Sequence, residues 1–339
     1  MRVGELLTIL VALLAVLVSG TVCTKGPQKS GQPASDGVRW PGTVQDVEIT
    51  SSVDGTVQQA KFFLPDNPKG PIPLLVMLHT WSGDWRQDMG IGWMEQAAVR
   101  HWAFIHPNFR GPNGKPESTG SEIATADILD AVAWVRQQVD IDSTRIYLAG
   151  TSGGGHMSLL TAGRSPDIWA GVSAWVPIFD LARWHAECVE RGLDYAAQME
   201  AACGGVPGSS PEVDSQYALR SSKSVLDRAA GLALEINAGI HDGHSGSVPV
   251  GHTLRAFGML AKANGMPEKA LSEEQIGEFE STQSVPAALA GETVDDPAYG
   301  DKRVLFRREA GPARVTIFEG GHEGIPHAGC EWLSRQVRK

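Results

Sequence analysis

The sequence predicts an α/β fold, a mostly parallel β-sheet with helices packed on both faces. Three observations carry this. Strand-like and helix-like stretches alternate from about residue 73 to residue 318, the rhythm of a parallel sheet joined by helical crossovers. The run PLLVMLH at 73–79 is apolar almost throughout, as a strand covered on both faces must be. At 339 residues and 42% hydrophobic, the chain is long enough to bury one large core.

The elements follow in order. Residues 1–22 read as a signal peptide: Arg2, then an apolar run from Leu6 to Val18, then small and polar residues, with Val18 and Gly20 ahead of a cut. The run is short for a permanent span, and no later stretch is apolar enough to be one. The mature chain is therefore expected to lack a transmembrane segment and to be exported, to the periplasm, the cell envelope or the outside. Cys23 leaves a lipoprotein open, although Val22 stands where such signals carry a small residue. An uncleaved N-terminal anchor is the other alternative. Residues 23–39 are rich in Gly, Pro, Ser and Lys and read as a flexible linker.

The folded domain is expected over 40–339. Alternating stretches on either side of Asp54-Gly55 predict a hairpin. After the strand at 73–79 come a helix around Trp93–Val99, the strand WAFIHPN, and a helix within 121–138, where Ile123, Ile128, Ala131, Val132 and Val135 share a face. RIYLA at 145–149 is the next strand and Gly153–Ala162 the next helix. Further strands are expected at 170–179, at 233–238 and near 313–318. Two stretches, about 181–225 and 266–300, break the rhythm and read as insertions, the first at a substrate pocket and the second on the surface.

Composition excludes some functions. The net charge is −10 and no cluster of Lys and Arg occurs, so no nucleic-acid partner is expected. Export permits disulfides; Cys188 and Cys203 lie in one segment and a bridge between them is open, whereas Cys330 sits in a helical pattern as a buried thiol. Without Cys-x-x-Cys, and with His241-Asp242-Gly243-His244 lacking a third ligand at a recognised spacing, no metal is expected. Oligomeric state leaves no mark in the sequence.

The chemistry centres on Gly150-Thr151-Ser152-Gly153-Gly154. The string alone is weak; its place, directly after RIYLA and opening a helix, is that of a nucleophile elbow. A sharp strand-to-helix turn strains the serine backbone and is tolerable only beside residues without bulky side chains. A plain glycine turn is the competing reading. Ser152 is the expected nucleophile, with Gly153 N–H at the helix N-terminus as one oxyanion donor. A serine hydroxyl needs a base. His322, in FEGGHEG after the last strand, is that candidate, with His327 as its rival. The base needs an orienting acid, for which Asp242 gives the chain order Ser, Asp, His; Asp180, after the preceding strand, is the rival. The second oxyanion donor is expected in His79-Thr80-Trp81-Ser82-Gly83, near Trp81 N–H.

The elbow at Ser152, the HDGHSGSVPV segment at Asp242 and the GGH turn at His322 resemble the catalytic domain of prolyl oligopeptidase-type proteins within the α/β-hydrolase superfamily. Acetyl xylan esterases, feruloyl esterases and dienelactone hydrolases are similar. The resemblance spans about 40–335 and implies an eight-stranded sheet, the triad roles above and catalysis without a cofactor. One departure is the absence of the His-Gly-Gly pattern after the strand at 73–79. Another is that only a short linker precedes the domain, where the large oligopeptidases carry a β-propeller; fold likeness therefore carries mechanism but not substrate.

The expected reaction is acyl transfer to water. Ester hydrolysis is preferred, because an alkoxide leaves more readily than an amine. Trp85 and Trp184 are expected to border the site, where their faces suit a small-molecule or oligosaccharide ester. A peptidase acting on short peptides is the alternative, and a binding protein on a hydrolase scaffold a third reading.

Overall fold

A computed structural model describes residues 39–338. The expected signal peptide, the linker up to residue 38 and Cys23 lie outside the described residues. The hairpin at Asp54-Gly55 is present: β1 (Gln45–Thr50) and β2 (Val57–Phe63) pair antiparallel in the register Thr50 with Val57. The sheet continues with β3 (Ile72–Leu78), β4 (Ala103–Pro107), β5 (Ile141–Thr151), β6 (Gly171–Trp175), β7 (Leu234–Gly239), β8 (Val304–Ala310) and β9 (Ala313–Phe318). Their order is β1-β2-β4-β3-β5-β6-β7-β9-β8. From β4 to β9 neighbouring strands are parallel, and antiparallel pairs flank them on either side.

Nine strands stand where eight were expected. The addition is β8, an edge strand that folds back on β9 through Gly311. Its sequence VLFRREA hides an alternation: Val304, Phe306 and Ala310 are buried, while Arg307 and Arg308 reach the carboxylates of Asp296 and Glu292.

Helices α1 (Gly90–Val99), α2 (Glu122–Gln138) and α3 (Gly153–Arg164) fill the first crossovers. The insertion after β6 is itself helical, with α4 (Leu181–Arg191), α5 (Tyr195–Cys203) and α6 (Pro211–Arg220); α7 (Gly251–Ala263), α8 (Glu273–Thr282) and α9 (Pro326–Leu333) follow. Local chemistry sets their ends. Ser121 accepts the N–H of Ala124 to start α2, Asp180 caps α4, and Ser272 with Gln275 forms a reciprocal capping box on α8. Gly192 ends α4 in the left-handed conformation.

β3 is buried at every position, as its sequence requires. The insertion has its own small core, in which Leu181, Trp184, Cys188, Met199 and Tyr217 pack with Trp81 and Val248. Burying each large side chain there contributes roughly 1.5–3 kcal/mol, so the insertion is fastened to the loops at the ends of β3 and β7. The bridge between Cys188 and Cys203 does not form. Both are buried free thiols, and burial pushes them up to about 12 and about 11, respectively. Cys330 is likewise a buried free thiol. Among the described residues, no helix is long and apolar enough to cross a membrane.

Candidate active site

Ser152 stands between the end of β5 and the start of α3 with φ 60° and ψ −119°, a conformation that non-glycine residues avoid. Such strain costs on the order of 1–3 kcal/mol and needs support from its surroundings. The support is visible. Ser152 N–H donates to Trp175 O at 2.8 Å, and Ser152 O accepts from His156 N–H at 2.8 Å. Close backbone approaches complete the turn: a Cβ on Gly150 would strike the Gly154 carbonyl, and one on Gly153 would strike the backbone nitrogen of Trp81. Glycine at these positions is a steric requirement.

The approach of Gly153 to Trp81 places two peptide groups side by side next to Ser152. Gly153 opens α3, where N–H groups have no acceptor inside the helix. The Trp81 backbone is fixed without the expected glycines. Its carbonyl accepts from Asn113 N–H at 2.8 Å and from Asn113 Nδ2 at 3.2 Å, its Nε1 donates to Gln198 Oε1 at 2.7 Å, and the ring is 2% exposed. Thr80 is clamped through both N–H and hydroxyl by the Gln87 amide. Nothing in the sequence marked Gln87, Asn113 or Gln198 for this work.

Asp242 follows β7 and His322 follows β9, strands parallel to β5, so both lie at the same carboxyl end of the sheet as Ser152. His322 Nδ1 is 2.8 Å from Asp242 Oδ2. The other carboxylate oxygen, Oδ1, accepts from Gly243 N–H at 2.9 Å and Val248 N–H at 3.2 Å. The Asp242 side chain is nearly inaccessible, whereas that of His322 is 23% exposed. Gly246 is pressed against both: a Cβ there would overlap Asp242 Oδ1 and His322 Cβ. The turn carrying His322 rests on the elbow, since a Cβ on Gly324 would come within 2.6 Å of Thr151 Oγ1. His322 Nε2 has the Ser247 hydroxyl at 3.5 Å.

The rivals are occupied elsewhere. Asp180 caps α4 and pairs with Lys223 Nζ at 2.6 Å. His327 is exposed and meets Gln96 Oε1 at 3.1 Å. His241 pairs with Glu319, which raises its pKa, and His244 faces the Glu280 carbonyl. Among the described residues, no group of three His, Cys, Asp or Glu side chains is placed to hold a metal ion.

The two tryptophans expected to border the site lie in different surroundings. Trp184 is 1% exposed and spends its Nε1–H on Ser247 O at 2.9 Å, so it is a buttress without a free face. Trp85 is half-buried at the other side of the β3 loop, its ring holding Lys61 Nζ at 4.8 Å from the ring centroid. Tyr195 of α5 is half-buried and stacked on Trp184 with centroids 5.1 Å apart. Burial raises its pKa. Arg191, at the end of α4, donates to Ser247 O at 3.1 Å and to Gly246 O at 2.5 Å. Only the placement of the first insertion hinted at these two residues.

Comparison with known proteins bears on the fold. The prolyl oligopeptidase family model matches residues 119–265, and the BD-FAE model matches residues 61–167. The acylaminoacyl peptidase of Pyrococcus horikoshii superposes with a TM-score of 0.57 at 17% identity, over 87% of this chain and 42% of that one. A putative dipeptidyl aminopeptidase IV from Bacteroides ovatus gives 0.52 at 21% identity, over 67% of this chain and 32% of that one. The chain thus spans less than half the length of either. No curated protein matches it by sequence.

Proposed function

We propose that this chain, an α/β-hydrolase of the prolyl oligopeptidase type, is an exported serine hydrolase that cleaves carboxylic esters, with Ser152 as nucleophile, His322 as base and Asp242 as the acid that orients it. The observation that carries the reading is the 2.8 Å contact of His322 Nδ1 with a buried Asp242 carboxylate, at the carboxyl end of the sheet where Ser152 occupies a strained elbow.

In this reading Ser152 Oγ attacks the ester carbonyl carbon while its proton passes to His322 Nε2. The carbonyl π electrons move onto oxygen, which the N–H groups of Gly153 and Trp81 receive; such donors act because they are fixed before charge develops. The tetrahedral species collapses, the C–O bond to the alcohol breaks, and the alkoxide takes the proton from His322. Water then repeats the sequence on the acyl-enzyme and releases the acid. Asp242 keeps the proton on Nδ1 and balances the imidazolium, and the two N–H groups on its Oδ1 hold it in that orientation. These residues require no cofactor.

Ester substrates are preferred to amides because the alkoxide is the better leaving group, and carbohydrate-linked esters are the first class to test. A second reading, hydrolysis of short peptides, is favoured by the prolyl oligopeptidase family match. A panel of p-nitrophenyl acyl esters, acetylated and feruloylated sugars, and Xaa-Pro and Xaa-Ala amides separates the two. Ester turnover lost in Ser152→Ala, together with loss of fluorophosphonate labelling, supports the proposal. Faster cleavage of the amides replaces it with the second reading, and turnover that survives Ser152→Ala removes both.

A further inference from the structure

Two glycines, Gly320 and Gly321, stand between the end of β9 and His322, so the segment that brings in the proposed base has little stiffness of its own. Its support comes from neighbouring loops. On one side Glu323 Oε1 accepts from Gly321 N–H at 3.1 Å and from Lys302 Nζ at 2.7 Å. On the other, the residue before Asp242 reaches across. His241 N–H donates to Gly320 O at 3.0 Å, and its ring Nε2 lies 2.8 Å from Glu319 Oε1. His241 thus joins the loop of Asp242 to the loop of His322 twice, once through its backbone and once through its side chain.

The ring is held from both ends. Nδ1 lies 3.0 Å from Oε1 of Gln283, the residue that ends α8 in the left-handed conformation. Both nitrogens therefore face oxygen acceptors. An imidazolium donates to the two at once, whereas a neutral ring carries a single N–H. Even with the Gln283 amide turned over to donate, the bond to Glu319 loses its charge assistance once the ring is neutral. Glu319, and then Gln283, raise the ring's proton affinity above the ordinary imidazole range. Arg303 Nη2 shares the Glu319 carboxylate through Oε2, at 3.7 Å. The other ionisable groups on these loops are engaged elsewhere: Asp242 with His322, His244 with the Glu280 carbonyl, the Glu280 carboxylate with Arg255, and Glu323 with Lys302. The side chains of His241 and Glu319 are 39% and 44% exposed, so protons exchange freely with solvent at this pair.

We propose that His241 is a positioning residue: protonated, it ties the loop of the acid to the loop of the base through Glu319, and the alignment of Asp242 with His322 slackens when it gives up that proton. This deepens the triad reading and rests on it. A histidine favoured in its charged form keeps its contact below its folded pKa and loses it as pH rises through that value. The clamp is therefore engaged in mildly acid solution and released on the alkaline side of the ordinary histidine range. The consequence is an alkaline decline of kcat caused by a group that touches no substrate. Exposure of the pair keeps that decline modest, about two- to fivefold.

The test is kcat for p-nitrophenyl acetate between about pH 6 and 9, the range that brackets a histidine, in wild type, His241→Gln, Glu319→Gln and His241→Arg. Wild type should show the two- to fivefold alkaline decline. The decline should be missing in both Gln variants, which run at the low, released level, and in His241→Arg, whose guanidinium stays charged throughout. KM should move less than kcat. A decline that persists in His241→Gln or Glu319→Gln overturns the clamp. If wild type hydrolyses no ester, or Ser152→Ala remains active, the triad reading fails and the clamp is judged alone, by NMR titration of the imidazole rings. The His322 signal must then register the ionisation of His241 in wild type and cease to register it in Glu319→Gln; a His322 signal blind to His241 overturns the proposal.

Discussion

Asp242 and His322 meet with Oδ2 2.8 Å from Nδ1, and both lean on the backbone of Gly246. Charge and shape therefore fix the pair together. Asp242→Asn keeps the shape and removes the charge. On the proposed mechanism, kcat for p-nitrophenyl acetate should fall about 10³- to 10⁴-fold, with the melting temperature nearly unmoved. A fall of less than tenfold would take Asp242 out of its role.

Arg191 touches neither side chain, yet it donates to the carbonyls of Gly246 and Ser247. Val248 N–H, the next along, holds Asp242 Oδ1. Arg191→Ala should loosen this loop and lower kcat about tenfold with a smaller change in KM, on the order of one charge-assisted hydrogen bond. Arg191→Lys should recover part of the loss. Equal kcat in all three proteins would show that the clamp is idle.

Two buried histidines make the fold sensitive to acid. Burial holds His106 down at about 3 and His156 at about 4, against an ordinary value of 6.5. Between 6.5 and these values the unfolded chain binds protons that the folded chain refuses. Their contribution to stability is thus complete above pH 6.5 and is lost as pH falls toward 4. Urea midpoints at pH 7, 5.5 and 4.5 should decline, and His156→Gln should decline less steeply. Parallel curves would refute the assignment.

Under the sheet, Glu235 is fully buried with Ser173 Oγ at 2.7 Å and Arg314 Nη2 at 2.5 Å. Burial pushes its carboxyl up, and Arg314 pulls it back. Removing one partner strands the other, at a cost of about 3–5 kcal/mol. Arg314→Met should lose about that much in urea unfolding, and Arg314→Met/Glu235→Leu should regain much of it. A double variant no better than the single would contradict the pairing.

Strand positions, and the placement of Ser152, Asp242 and His322 at strand ends, were legible because they follow from local pattern and chain order. PLLVMLH could only be an interior strand, and the elbow required small residues around Ser152. β8 was not legible, since its arginines mask an alternation that appears only once their carboxylate partners are in place. The burial of Trp184 was not legible, because a tryptophan looks the same whether its face is open or packed; only the contacts of its Nε1 and ring decide. The contacts of Tyr195, Arg191 and Ser247 join an insertion to distant loops, and no local pattern encodes those.

The glycines of the elbow leave the backbone of Ser152 no freedom to shift. The α4–α6 insertion, by contrast, packs through side chains on the loops after β3 and β7. Efforts to retarget the proposed activity to other substrates should therefore diversify the outer helices and leave residues 150–155 untouched, because the ground beneath Ser152 tolerates no added carbon.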